Sequence, residues 1–469
     1  MSSTDPGLSP HDVVRSGLCI GCGSCVASAP DPRSAMAFDA YGQLKPNGPK
    51  AWLGRRSAAL ARTCPFSPAA ADEDEISARR FPEAPMRDAR VGRFEAAYVG
   101  HVVEGDFRTE GSSGGLVSWT AAELLRRGWV DAVAHVAAVD DPAPGARLFR
   151  YRLSHSESEV RGGAKSRYYP IDLSDIVREI RAHPGRYAIV GVPCFIKAIH
   201  LLRAEDAVLW ERIVFTLGLF CGHMKSARMV ESFAWQMGAS VEDVTAIDFR
   251  AKDPGRPANW YTAKLALRDG GERREDWWNL ADGDWGAGFF QNSACNFCDD
   301  VVAETADISF GDAWVEPYAS DGRGTNVAVI RSPAIGRLVR AAIAEQRLSL
   351  TPVDAEFVHA TQAAGFRQRR EGLALRLATR RRGLIPRKRI VGRRPNLSLR
   401  RWAVYRLRGA ITTWSHRVMY VARRLERRGL YTNWARATLR LYQAFAWSHG
   451  RLGVWLDRME IHAPGGNRQ

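Results

Sequence analysis

Long hydrophobic runs are missing from this sequence. An apolar stretch such as VFTLGLF at residues 214–220 is far shorter than the roughly 18 residues that a membrane-spanning helix needs. The first residues, MSSTDPGLSPHDVV, contain no basic region followed by an apolar one, so we expect no signal peptide. Both absences predict a cytoplasmic protein, in which thiols stay reduced.

Internal repeats are also missing. No G-x-G-x-x-G motif follows the first predicted strand, which argues against a dinucleotide-binding fold of the NAD type. Hydrophobic residues make up 45% of the chain and charged residues 25%, as in average globular proteins. A chain of 469 residues exceeds the usual size of a single core, so we expect two to four domains.

Acidic residues are nearly absent from the C-terminal part. Residues 361–469 contain 4 Asp and Glu against 26 Lys and Arg, whereas residues 1–360 contain 47 against 41. The net charge of +16 therefore originates in the tail, and any attraction of an anionic partner belongs to that tail.

Strand and helix patterns alternate from residue 94 to about residue 353. Strands are predicted from EAAYVGHVV, DAVAHVAAV, YAIVGV and RIVFTLGLF, and helices from SSGGLVSWTAAELLRRGWV, FIKAIHLLRAE and SARMVESFAWQMG. DVTAIDFRAKD and TAKLALRDGG predict further strands that an antiparallel pairing would suit, and a strand–helix–strand unit follows in NVAVIRSPAIGRLVRAAIAEQRLSLTPV. This alternation is typical of an α/β body with a mixed sheet.

Three of only eight cysteines lie within seven positions, in LCIGCGSCVASAP. Cys19, Cys22 and Cys25 form C-x2-C-x2-C, and Cys64, followed by a proline, is the nearby partner; we name these four the first quartet. Thiolates at this spacing, with glycines between them, can converge on a [4Fe-4S] cluster as in bacterial ferredoxins. The long insertion before Cys64 departs from the compact ferredoxin run, and zinc or unligated thiols are the alternatives.

The remaining cysteines form what we name the second quartet: Cys194, Cys221, Cys295 and Cys298. Two of them follow predicted strands, in IVGVPCF and LGLFCGH, and two form the C-x2-C of SACNFCDD. Spacing alone leaves a second metal site and ordinary buried thiols equally open, and a lone C-x2-C can bind zinc or be redox-active. His223 is a spare ligand candidate, although a structural role explains a single histidine better.

Six motifs together resemble one family. They are GSSGGLVSW, GAKSRYYP, VGVPCFIKAI, LGLFCGH, CNFCDD and ADISFGDAW, and over about residues 94–345 they are similar to the beta subunit of coenzyme F-420-reducing hydrogenases and dehydrogenases. The segment of the first quartet resembles the N-terminal part of the plant-type 7-hydroxymethyl chlorophyll a reductase and its divinyl-reductase relatives, which belong to the same family.

The resemblance implies an FAD protein with a [4Fe-4S] cluster on each quartet. Such a protein passes electrons between a hydride carrier, or an organic substrate, and a one-electron partner such as ferredoxin. We expect an α/β body with a mixed sheet, a loop-rich ferredoxin-like N-terminal segment and an α-helical C-terminal tail. The expected parts are residues 1–90 with the first cluster and a linker, 91–180 for flavin binding, 181–355 with the second cluster and 356–469 as a basic extension.

Three stretches carry the flavin-contact candidates that the resemblance implies. EGSSGGLVSW opens a helix whose N–H groups suit a pyrophosphate, although a plain N-cap would look the same. GAKSRYY offers cations for phosphate or for the flavin ring, and a solvated basic loop is the alternative. The Gly-Asp turn of ISFGDAW would lie near the flavin and the second cluster, and a simple Asx-turn is the alternative. The candidates are Ser112, Ser113, Gly114, Gly115, Lys165, Ser166, Arg167, Gly311 and Asp312.

No arrangement of His, Asp and Ser identifies an acid catalyst. His101, His135, His155 and His223 are candidates by residue type alone. Two rivals to a flavoenzyme are therefore a non-catalytic electron-transfer subunit of a larger complex and a zinc-stabilised scaffold protein.

The tail predicts basic amphipathic helices with tryptophan. In residues 397–428 one predicted helical face holds Leu399, Ala403, Leu407, Ile411, Trp414, Val418, Val421 and Leu425. A second stretch repeats the pattern with Trp434, Leu441, Phe445 and Trp455. Such helices suit an anionic membrane surface, and docking on a partner subunit or on the body itself is the alternative. Nothing resembles a nucleic-acid-binding fold, so we expect no nucleic acid partner.

Overall fold

The computed structural model describes residues 7–380, 382–394 and 396–461. Among these residues no helix is both long and apolar enough to cross a membrane. All eight cysteines lie in this part of the chain and are free thiols.

Strands are concentrated between residues 35 and 353. Their bounds are β1 (Ala35–Phe38), β2 (Leu44–Asn47), β3 (Met86–Asp88), β4 (Gly92–Phe94), β5 (Ala96–Val102), β6 (Ala132–Ala138), β7 (Phe149–Ser154), β8 (Tyr187–Gly191), β9 (Ile213–Leu219), β10 (Val244–Asp248), β11 (Thr262–Leu267), β12 (Glu272–Asp276), β13 (Ile308–Asp312), β14 (Asn326–Ile330) and β15 (Leu348–Val353).

Helices occur along the whole described chain. Their bounds are α1 (Pro10–Arg15), α2 (Ser24–Ala27), α3 (Lys50–Gly54), α4 (Ala58–Thr63), α5 (Glu73–Arg80), α6 (Phe107–Glu110), α7 (Leu116–Arg126), α8 (Glu157–Gly162), α9 (Ser174–Ala182), α10 (Pro193–Glu205), α11 (Ala207–Arg212), α12 (Arg228–Gln236), α13 (Pro333–Ala344), α14 (Ala355–Thr361), α15 (Ala363–Arg369), α16 (Glu371–Thr379), α17 (Leu399–Arg424), α18 (Arg428–Trp447) and α19 (Gly450–Ile461).

A mixed sheet forms the centre of the body, and its strand order is β15-β5-β14-β13-β9-β8-β6-β7. The inner strands β13, β9, β8 and β6 run parallel, whereas β7 at one edge and β14, β5 and β15 at the other are antiparallel to their neighbours. Strands β10, β11 and β12 form a separate antiparallel sheet. The α/β body with a mixed sheet that the sequence predicts is thus confirmed.

Helices cover both faces of the large sheet. Strand β8 is buried at every position, as expected for a parallel strand that is covered on both sides. On one face, Trp119 of α7 and Leu338 of α13 lie in one apolar cluster with Val133 of β6 and Ile330 of β14. On the other face, α9 and α10 pack against the alternate residues of the same strands, together with Leu18 and Ile20 of the N-terminal segment. The N-terminal segment is therefore part of the main core.

The acidic stretch at residues 72–75 differs from the expected linker. Asp72 caps helix α5 by accepting a hydrogen bond from the backbone N–H of Glu75. Glu73 is 3% exposed, and it accepts a hydrogen bond of 3.1 Å from the Nζ of Lys197 on α10. A run of carboxylates near residue 75 usually indicates a solvent-exposed segment, and for this reason a linker was predicted. The prediction was wrong because Glu73 is a buried ion-pair partner of Lys197.

The tail forms helices, as predicted, and these helices pack on the body. Met419 of α17 and Tyr431 of α18 are fully buried in an apolar cluster with Phe233, Trp277 and Phe290. Of the predicted apolar face, Ile411 is buried against the body and Leu407 and Val418 pack on the same cluster. Its other large members are exposed: Leu399, Trp414, Val421 and Leu425.

Candidate functional site

A cavity of about 280 Å³ opens at the carboxyl ends of β8, β9 and β13. In open α/β sheets this edge is where ligands bind, because loops and helix N-termini converge there. All the flavin-contact candidates except Gly114 line the cavity. Gly114 lies next to it, where an added Cβ would be 2.8 Å from the N of Asn326 and 2.9 Å from the O of Gly100.

Asn326 joins the start of α7 to the end of β13. Its Oδ1 accepts a hydrogen bond of 3.1 Å from the N–H of Leu116, and its Nδ2 donates one of 3.1 Å to the carbonyl of Gly311. The loop of Ser112 is joined to the GAKSRYY stretch, since the Oγ of Ser112 accepts a hydrogen bond of 2.9 Å from the N–H of Ser166. The three sequence-distant stretches therefore form one connected wall.

Gly115 is required by the backbone at the N-terminus of α7. Its φ is +86°, in the left-handed region, and an added Cβ would lie 2.6 Å from the C and O atoms of Phe107. The next residues of α7, Val117 and Ser118, line the cavity, where their N–H groups suit an anionic group.

Cations surround the same end of the cavity. Lys165 forms an ion pair of 3.2 Å with Asp248, and the guanidinium of Arg167 lies 5.0 Å from the ring centroid of Phe149. The buried Nε of Arg167 has no hydrogen-bond partner among the described residues. Lys252 donates a hydrogen bond of 2.9 Å to the carbonyl of Ser113, and burial, followed by the nearby cations, lowers its pKa to about 8. This end can hold phosphate oxygens.

Aromatic side chains and His223 form the opposite wall. The imidazole of His223 stacks on Trp285 with ring centroids 4.2 Å apart, and Tyr168 lies 4.7 Å from the same indole. Both ring nitrogens of His223 are buried without a hydrogen-bond partner among the described residues. Burial, followed by the charge of Lys225, lowers the pKa of His223 well below its usual value. A flat ring system would fit against this wall.

Asp312 anchors the end of β13 through a buried ion pair. The guanidinium of Arg250 is 3.0 Å from its carboxylate and stacks 4.4 Å from the ring of Tyr261. Of the other histidine candidates, His135 lines the cavity and shares a hydrogen bond of 2.7 Å with Ser154, whereas His101 and His155 are absent from its lining.

The four thiols of the first quartet line one small, largely apolar cavity. Two glycines of the loop, Gly21 and Gly23, have φ of +83° and +82°, which allows the chain to curl around it. Burial raises the pKa of Cys25 well above its usual value, and the neighbouring thiols of its quartet raise it further. Four sulfurs facing one cavity fit a [4Fe-4S] cluster.

The second quartet is assembled from three places in the fold. Cys194 lies in the first turn of α10, Cys221 follows β9, and Cys295 and Cys298 belong to a single turn. The N–H of Cys221 donates a hydrogen bond of 3.0 Å to the carbonyl of Val301, which brings the last two segments together. Burial, and then the thiols of Cys298, Cys221 and Cys295, raise the pKa of Cys194. Within the described residues no three His, Cys, Asp or Glu side chains form a ready-made site for a single metal ion.

The cavity and the two quartets are contiguous. Cys221 is a member of the second quartet and also lines the cavity. Members of both quartets, Cys22 and Cys64 from the first and Cys295 and Cys298 from the second, lie in one apolar cluster. Cavity, second quartet and first quartet therefore follow one another through the body.

Sequence reasoning missed several residues of this site. Asn326, Trp285, Arg250 and Lys252 lie in stretches without a motif, and their roles depend on pairings with distant strands. Only Trp285 could have been suspected from the sequence, because it belongs to an unusually aromatic stretch between residues 277 and 290.

Comparison with known proteins identifies two family matches. Residues 97–178 match the model of the N-terminal part, and residues 185–356 that of the C terminus, of the coenzyme F-420 hydrogenase/dehydrogenase beta subunit. A chain of the F-420-reducing [NiFe] hydrogenase complex from Methanosarcina barkeri is 15% identical, with a TM-score of 0.46 over 61% of this chain and 92% of that chain. No curated protein matches the sequence.

Proposed function

This chain belongs to the coenzyme F-420 hydrogenase/dehydrogenase beta-subunit family, and from that premise we propose that it is an FAD- and [4Fe-4S]-dependent oxidoreductase. A redox, electron-transferring role follows from the family. The observation that carries the finer proposal is the contiguity of one cavity and two cysteine quartets, with Cys221 common to the cavity and the second quartet.

The residues of the cavity fit FAD in two ways. The α7 N-terminus at Gly115, together with Lys165 and Arg167, would hold the pyrophosphate, because N–H groups and cations face it there. The stacked His223 and Trp285 would position the flavin ring. When bound, FAD supplies hydride exchange with a two-electron carrier and single-electron exchange with iron–sulfur clusters.

The two quartets would provide the one-electron route. Each offers four free thiols, two buried and two half-buried, and the apolar cluster around them excludes water from the path. We propose that ferredoxin or another redox protein exchanges electrons at the first quartet, and that a hydride carrier or an organic substrate reacts at the cavity. The non-catalytic electron-transfer subunit remains the alternative, and the absence of a defined acid catalyst among the described residues favours testing it directly.

Cofactor content tests this proposal first. Protein purified without oxygen should contain about eight iron, about eight acid-labile sulfide and about one FAD per chain. Turnover between a hydride donor and ferredoxin by the isolated chain would support the enzyme, and flavin reduction only in the presence of a partner subunit would support the alternative. A colourless protein that contains zinc and no flavin would overturn both and support the scaffold.

The outward face of α17 suggests where the protein is located. Trp402 and Trp414 are 46% and 51% exposed, and the guanidinium groups of Arg406 and Arg417 lie over them at 5.6 and 5.3 Å. Residues 399–459 contain only two acidic residues. We propose that this face attaches the protein to the anionic, cytoplasmic surface of a membrane, since tryptophan with arginine suits the headgroup region.

Vesicle binding checks the membrane proposal. The full chain should bind vesicles of equal parts phosphatidylcholine and phosphatidylglycerol and should not bind pure phosphatidylcholine. The pair W414S/R417Q should weaken binding about tenfold, since each arginine near an anionic surface contributes about 1 kcal/mol and the indole adds apolar contact. The control W210S/R33Q removes one exposed tryptophan and one exposed arginine from the body and should bind normally. Equal binding of both variants, or of both lipids, would contradict the proposal.

A further inference from the structure

A basic segment beyond the family match crosses both cysteine quartets. We name it the strap and define it as residues 363–380 and 382–394, which include α15 and α16. Arg380 donates a hydrogen bond of 2.8 Å to the carbonyl of Ser16 beside the first quartet. Arg376 donates one of 2.7 Å to the carbonyl of Asn296, which lies between the two cysteines of the C-x2-C. The strap therefore contacts the loops of both quartets.

Two cations of the strap pair with fully buried carboxylates. Lys388 pairs with Asp299 at 3.0 Å, and these side chains are only 3% and 0% exposed. Arg389 pairs with Glu304 at 2.6 Å. These positive charges are therefore neutralised inside the protein and are not offered to an external anion.

In the described part of the chain, Arg369 is buried without such a carboxylate partner. It is 4% exposed, and among the described residues no carboxylate lies within ion-pair distance of it. Its guanidinium donates hydrogen bonds to the carbonyls of Gly222, at 2.7 Å, and Asp300. Gly222 follows Cys221 directly, and Asp300 lies two residues after Cys298. Arg369 thus clamps two loops of the second quartet.

An uncompensated buried cation is costly unless an anion forms beside it. The thiols nearest to Arg369 supply that anion once they are thiolates. The two loops that Arg369 clamps carry Cys221 and Cys298. A [4Fe-4S] cluster with four thiolate ligands carries a net negative charge that grows on reduction.

We propose that the strap is part of the second redox centre and that Arg369 is the positioning residue that raises its reduction potential. This inference rests on the proposed function. The positive charge of Arg369 favours the more negative, reduced state, because charge interactions are strong where water is excluded. The clamp on Gly222 and Asp300 keeps that charge at a fixed distance from the sulfurs. The basic extension therefore tunes electron transfer inside the body, apart from any external contact of α17.

Potentiometric titration of the full, oxygen-protected chain tests the inference. Reduction of each centre is followed by electron paramagnetic resonance in the wild type, R369M, R369K and the control R393M. Arg393 is an exposed arginine of the same strap. R369M should shift one midpoint to a more negative value, R369K should lie close to the wild type because it keeps the charge, and R393M should match the wild type.

Hydrogen–deuterium exchange tests the clamp even if R369M fails to bind the second cluster and gives no midpoint. Deuterium uptake in peptides spanning residues 221–224 and 295–300 should rise in R369M and stay unchanged in R393M. Loss of iron in R369M but not in R369K would also support the inference. Full iron with unchanged midpoints and unchanged exchange in R369M would overturn it. Iron-free wild-type protein would instead overturn the proposed function, so the two failures are distinguishable.

Discussion

C295A/C298A should lose about half of the iron and sulfide and at least about 100-fold of the electron transfer from a hydride donor to ferredoxin. The C-x2-C supplies two of four thiols to the second quartet, and a cluster cannot remain bound by the other two. Changes to residues that only support the ligands commonly cost 10–100-fold in metal affinity or activity. Loss of the ligands themselves should cost at least as much. Iron analysis and steady-state turnover of the anaerobic protein measure both effects.

The first quartet provides the matched comparison. C19A/C22A should lose a similar fraction of iron and should also fail to reduce ferredoxin. It should still show reduction of the second centre by a hydride donor, because Cys221 lies at the cavity and the first quartet lies beyond it. If a hydride donor still reduces the first centre in C295A/C298A and fails to reduce the second centre in C19A/C22A, the order of the two centres is reversed and the proposed route is wrong.

Lys388→Met should destabilise the protein by about 3 kcal/mol. The change leaves the carboxylate of Asp299 buried, with the more distant Arg389, at 3.5 Å, as its ion-pair partner. Breaking a buried pair costs about 3–5 kcal/mol, and the residual contact with Arg389 puts this variant at the lower end. The double variant K388M/D299N should recover part of the loss, since no unpaired charge then remains.

The pH dependence of stability adds a signature to this prediction. Burial raises the pKa of Asp299, but Lys388, Arg389 and Lys197 lower it far more, so that the net value is well below normal. A depressed carboxyl pKa contributes stability above the unfolded-state pKa of about 4 and loses it as the pH falls below that value. Removal of Lys388 raises the pKa of Asp299, and acid unfolding should therefore begin at a higher pH.

Thermal unfolding followed across pH 3 to about pH 8 measures these effects. The control is R33M, which removes one partner of an exposed ion pair whose arginine side chain is 77% exposed. Screening by solvent makes such a pair nearly neutral for stability, so R33M should unfold like the wild type at every pH. Equal behaviour of K388M and R33M would contradict the role assigned to the buried pair.

Local patterns predicted the elements of the body well, because their signals lie within single segments. Strand β8 is a continuous apolar run, and α7 follows a glycine-rich turn with a helical apolar stripe. The predicted antiparallel pair β10 and β11 is also confirmed. The order of the sheet was not predictable, since β13 and β14 are inserted between β9 and β5 by pairings between distant segments.

The contacts of α17 show why hydrophobic periodicity predicted the helix but only part of the side that packs on the body. Its contacts with the body include polar groups: the Oγ of Ser415 accepts a hydrogen bond of 3.0 Å from the N–H of Phe290, and His416 lies 2.9 Å from the amide of Gln43. A helical pattern based on apolar residues leaves out polar positions such as Ser415 and His416. It includes Trp414 and Val421, which are exposed. Polar residues satisfied by a specific partner give no signal until that partner is known.

Cysteine spacing divided the thiols into two quartets, yet their closeness to each other could not be inferred. Asn292, next to the second quartet, donates long hydrogen bonds of 3.4 Å to the carbonyls of Cys19 and Ile20, and nothing in the sequence links these segments. The assignment of the thiols to metal clusters, and of the cavity to FAD, stays a prediction for the experiments described above.

The position of the strap in the chain has a consequence for biosynthesis. Translation completes both quartets at residue 298, well before the ribosome reaches residue 363. A nascent chain therefore passes through a stage at which every cysteine is available and Arg369, Arg376 and Arg380 do not yet exist. If the quartets bind clusters as proposed, iron and sulfide would be delivered from that side during synthesis, and the finished C-terminal segment would then cover both quartets.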